Sequence, residues 1–187
     1  MKNIIRLVLL TGIVGLNAPV KAQYAVEPVE GFTPQIGIVV DMLEEIKDRI
    51  EADVRGLSLA ETDFRFDDRA NSIGALIMHL AATEAYYQIE TLEGNAWSAE
   101  DMAFWGAASD LGEASRETFT GKPIAHYLDI WDTVREKTLG GLKSRDDAWL
   151  ASEIEEGVNN HWVWFHVLEH ASAHMGQIAL VKQRFPD

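Results

Sequence analysis

Four stretches of this chain place apolar residues at the three-to-four-residue spacing of a helix, and no stretch alternates convincingly as a half-buried strand would. The first begins near Pro34, carries Ile36, Val39, Met42, Leu43, Ile46 and Ile50 on one side, and fades near Gly56. Asn71 or Ser72 is a suitable N-cap for the second, which runs through Leu76, Ile77, Leu80, Thr83 and Tyr87 to about Leu92, where Gly94 and Asn95 stop it. Pro123 suits the first turn of the third, whose stripe is Tyr127, Ile130, Trp131, Val134, Thr138 and Leu142 and whose end should fray at Gly140 and Gly141. Asn159 or Asn160 can cap the last, which continues to about Arg184 before Pro186. Helices of about 20 residues with one apolar stripe each bury it by packing together, so the spacing predicts an all-α, four-helix-bundle domain. Between them, residues 57–71 and 144–158 read as irregular connections. Ser98 and Asp101 resemble a capping box for a short helix over 99–106, followed by an irregular stretch to Lys122.

The first 22 residues do not belong to this pattern. Lys2 and Arg6 precede an apolar run from Leu7 to Leu16, and Ala18 to Ala22 supply a small-residue ending. That is the order of a cleaved secretory signal. The run is short of the roughly 20 residues a membrane helix needs. The expected division is a signal peptide at 1–22, an extended lead-in at 23–33 and the helical domain at 34–187, with the mature protein periplasmic or secreted.

Composition narrows the chemistry. The 187 residues are about one domain's worth, and 47% apolar with 25% charged residues is ordinary for a folded chain. The net charge of -14 argues against a nucleic-acid partner, which would need clustered Lys and Arg. The absence of cysteine excludes disulfides, thiolate zinc sites, iron–sulfur clusters and a cysteine nucleophile. A metal in this chain must be held by His, Asp or Glu.

Three of the six histidines lie on the last helix at four-residue steps: His166, His170 and His174. Residues four apart differ by about 40° around a helix and rise about 6 Å, so two such imidazoles can meet on one ion. All three cannot easily do so, because His166 and His174 are about 12 Å apart along the axis. The spacing leaves two pairs open, 166/170 and 170/174. It also suits core-edge histidines bonded to carboxylates or carbonyls. A third ligand is wanted in zinc-type sites. His79, among the apolar residues of the second helix, is the best candidate; a satisfied core histidine is the alternative. His126 and His161 sit near helix starts and read as surface or capping residues.

The stretch NSIGALIMHLAATEAYY, followed far downstream by WFHVLEHASAHMGQIALVKQRF, resembles the DinB-like family over about residues 35–185. The resemblance implies a four-helix bundle with one divalent metal held by His79, His170 and His174, and His166 outside that set. Met175 stands where the family usually has arginine. Zinc is the default ion, and nickel and iron accept the same ligands. Around the ligands, Glu84 and Glu169 are placed to orient imidazoles, Tyr86 lies two turns past His79, and Gln177 can line the pocket or bond a ligand's outer nitrogen. No catalytic residue is assigned.

The resemblance implies a metal-dependent transferase or hydrolase acting on a small molecule that the sequence does not identify. The alternatives are a non-catalytic metal- or ligand-binding module of the cell envelope and a purely structural bundle. A homodimer is an expectation of the resemblance alone.

Overall fold

A computed structural model of the protein describes residues 25–186. The expected signal peptide lies outside the described residues. The order is α1 (Pro34–Val54), α2 (Leu59–Thr62), α3 (Ile73–Tyr87), α4 (Ala99–Asp110), α5 (Glu113–Thr118), α6 (Ile124–Lys143), α7 (Asp147–Ala151), β1 (Glu153–Glu155), β2 (Val158–Asn159) and α8 (Asn160–Lys182). Among the described residues the protein is all-α apart from the short antiparallel β1–β2 pair. Among the described residues no helix is long and apolar enough to cross a membrane.

The four long helices make the body. α3 packs against α6 and α8, and α1 against α8 and α6. α3 is buried nearly all round from Ile73 to Ala82, as a helix at the centre of the assembly must be. Trp131 of α6, Trp164 of α8 and Ile36, Leu43 and Ile50 of α1 are fully buried. Each such side chain contributes about 1.5–3 kcal/mol by leaving water. Gly74 lets α6 come close: a Cβ there would sit 2.6 Å from the Tyr127 ring.

Glu84 ties these helices together. Its carboxylate accepts from Trp131 Nε1 at 2.9 Å, Arg135 Nε at 2.7 Å and Thr138 Oγ1 at 2.6 Å. Arg135 also donates to the Leu43 carbonyl at 2.7 Å and to Glu44 at 2.8 Å, joining α1 to the same knot. Burial alone would push the Glu84 carboxyl up. The Arg135 charge and the three donors outweigh it and hold the group below the ordinary carboxylate range.

Several connections hold more structure than their sequence suggested. Residues 57–71 contain α2, opened by a Ser58–Glu61 capping box. The stretch before Lys122 contains α5. Residues 144–158 form α7 and most of the β1–β2 pair instead of an irregular loop. Asp147 of α7 caps α1, accepting from the backbone N–H of Gln35 at 3.0 Å and of Ile36 at 3.3 Å. Gly141 does not fray α6. It lies inside the helix, where its missing side chain makes room for Leu92. The Ser98–Asp101 capping box is present, and α4 runs on to Asp110.

Candidate metal centre

α3 and α8 lie side by side, and their facing histidines meet. His79, His170 and His174 bring one ligand nitrogen each to within 4.8 Å of one another. The ring centroids are 4.8 Å apart for His79–His170, 4.7 Å for His79–His174 and 4.4 Å for His170–His174. His79 and His174 are buried and His170 is half-buried.

The outer nitrogens decide what the inner ones offer. His79 Nδ1 lies 2.8 Å from the Ala108 carbonyl, which only accepts, so Nδ1 carries the proton and Nε2 a lone pair. That carbonyl is free because it falls in the last turn of α4, where the helix supplies no donor. Ala108 is also the one fully buried side chain of α4. His174 Nδ1 donates to Gln177 Oε1 at 3.0 Å, again leaving Nε2 as the free acceptor. His170 Nε2 points at His79 Nε2 across 2.8 Å and lies 3.4 Å from Thr83 Oγ1. Thr83 is held in turn by the His79 carbonyl at 2.9 Å.

Burial lowers the pKa of all three histidines. For His170, the neighbouring imidazoles His174, His79 and His166 add like-charge repulsion and bring it down to about 4. His79 is lowered by burial against the opposing pull of the Ala108 carbonyl. His174 is lowered by burial and by His79, against Gln177. Neutral imidazole is the form that ligates a metal. A tetrahedral ion with bonds of about 2.0–2.1 Å sets its nitrogens roughly 3.3 Å apart. The separations here bracket that spacing, so the three side chains fit one ion with small shifts.

The other sequence candidates divide. Gln177 lies against the outer nitrogen of His174, with Oε1 3.0 Å from Nδ1. His166 stays out of the triad. It stacks on Trp162 with 5.2 Å between ring centroids and pairs with Glu169 at 3.2 Å. Glu169 therefore holds His166 and not one of the three. Glu84 does not orient an imidazole: it is five residues past His79, about 140° around α3, and that turns it into the Arg135 knot. Tyr86 is exposed, hydrogen-bonded to Glu90 at 3.4 Å and packed against Trp97. Met175 is half-buried and packs on the core. Two contributors were missed. Thr83, four residues past His79, was visible by spacing; the Ala108 carbonyl, a backbone group, leaves no mark in a sequence.

A family model described as mycothiol-S-transferase matches residues 38–185, a span that includes all three histidines. No curated protein matches the chain.

Proposed function

Because the chain belongs to the mycothiol-S-transferase family, a DinB-like family, we propose that it is a metal-dependent transferase joining a small thiol to an electrophile at His79, His170 and His174. The observation that carries this reading is the inward convergence of three neutral imidazoles, two of them with the outer nitrogen already engaged. Zinc is the proposed ion, with nickel or iron the alternatives for this ligand set. Such an ion, once bound, supplies the Lewis acidity that favours the thiolate form of a thiol.

The chain's own groups prepare that site. The Ala108 carbonyl and Gln177 fix which nitrogen of His79 and His174 is protonated and where each ring points. Thr83 stands against His170. The Trp162–His166 stack lies one turn towards the start of α8 from His170. The chain has no cysteine, so the sulfur must arrive with a co-substrate.

The test is conjugation of monochlorobimane to cysteine and to mycothiol by zinc-loaded protein. The expected result is product formation that disappears on chelation and in His170→Ala. Turnover that survives chelation would overturn the reading. The signal-like residues 1–22 favour a second reading, a non-catalytic metal- or ligand-binding module outside the cytoplasm, because small thiols are not expected in quantity there. Metal-loaded protein that conjugates neither thiol but holds its ion tightly would favour it. Export is itself proposed. N-terminal sequencing of the protein from an envelope fraction should begin at Gln23, and a chain that retains Lys2 would contradict it.

A further inference from the structure

About two turns past His79 on α3, a cavity of about 570 Å³ opens between α3, the segment around Trp97, and the α7–β1 region. Its walls include three aromatic rings, Tyr86, Trp97 and Trp149, and three carboxylates, Glu90, Glu153 and Glu155. No Lys or Arg lines it. None of the three carboxylates is in an ion pair among the described residues. We propose that this cavity binds the protonated amine of a small organic molecule.

Two further facts support an ammonium ligand. Tyr86 and Trp97 meet edge to face with centroids 5.4 Å apart, and Tyr86 lies 3.4 Å from Glu90. The Tyr86 hydroxyl is held above its ordinary pKa by burial, then by Glu90, and by Glu155 from across the cavity, so the two carboxylates act on one point. The carboxylates neutralise the charge of an ammonium group, and the ring faces attract it. Arg145 already lies over the Trp149 ring, 5.3 Å from its centroid, so the ring attraction for a ligand rests on Tyr86 and Trp97. The cavity shares no wall residue with the three histidines, so this inference does not rest on the metal reading.

The test is calorimetric titration of the folded protein, at physiological ionic strength, with 2-phenylethylamine and with its uncharged counterpart 2-phenylethanol. The amine is expected to bind about tenfold or more tightly than the alcohol. Glu155→Gln with Glu90→Gln should weaken the amine about tenfold, and Trp97→Leu about threefold, with unchanged circular dichroism. Glu113→Gln with Glu117→Gln, the same charge change on α5, should leave binding unaltered. Chelation should leave it unaltered too. Equal affinity for amine and alcohol, no binding of either, equal weakening by the α5 pair, or loss of binding on chelation would each overturn the proposal.

Discussion

His79 and Ala108 are 29 residues apart in the chain, yet the imidazole Nδ1 and the backbone carbonyl meet at 2.8 Å. The contact links the end of α4 to the histidine cluster, and Ala108 is fully buried beneath it. Ala108→Leu should overpack this seat and displace the carbonyl. We predict a stability loss of about 1–3 kcal/mol. Zinc affinity, measured by competition with a chromophoric chelator, should fall about 10–100-fold.

Gln177 is exposed, so its replacement separates orientation from folding. Gln177→Leu removes the acceptor from His174 Nδ1 and should lower zinc affinity about 10–100-fold with an unchanged melting temperature. Gln177→Glu keeps an acceptor and should restore binding. Chelator competition and thermal melting on the same samples check both.

Glu84 should behave in the opposite way. Glu84→Gln removes the main partner of a buried guanidinium and should destabilise the fold by about 3 kcal/mol or more, with zinc affinity of the folded protein unchanged. The pH dependence has a definite sign. The folded carboxyl titrates below its unfolded value of about 4.3, so the unfolded chain binds more protons in that window. Its contribution is complete above that value and is lost as pH falls through the folded pKa. Denaturant unfolding between neutral pH and about pH 3 should therefore show a steeper acid loss in the wild type than in Glu84→Gln.

Two glycines give a paired test of the packing. At Gly74 a Cβ would press on the buried Tyr127 ring at 2.6 Å, which cannot turn away. At Gly141 it would meet the tip of Leu92, a flexible and only half-buried side chain. Alanine gains about 1 kcal/mol of helix propensity at either site. Gly74→Ala should nonetheless lose about 1–2 kcal/mol, and Gly141→Ala should be neutral or mildly stabilising. Melting temperatures of the two variants decide it.

The long helices were legible because each repeats its apolar residues over five turns or so. α7 and the β1–β2 pair were not, since elements of two to five residues are too short to establish a period, and their role shows only in space, where Asp147 caps α1. On α8 the four-residue step exposed the histidine row, and the three-residue step from His174 to Gln177 exposed the partner. Choosing 170/174 over 166/170 needed the family resemblance, because spacing treats the two pairs alike. Glu84 lies on the other side of α3 from the cluster, because nearness in sequence to His79 counts for less than the 140° between them. Ala108 acts through its carbonyl, which every residue has.

We propose that His79, His170 and His174 hold one divalent ion. Metal analysis of purified wild type, His79→Ala and His174→Ala, each shown to be folded by circular dichroism, tests it most directly. About one divalent ion per chain is expected in the wild type, with background levels in both variants. Equal trace metal in all three proteins would contradict it.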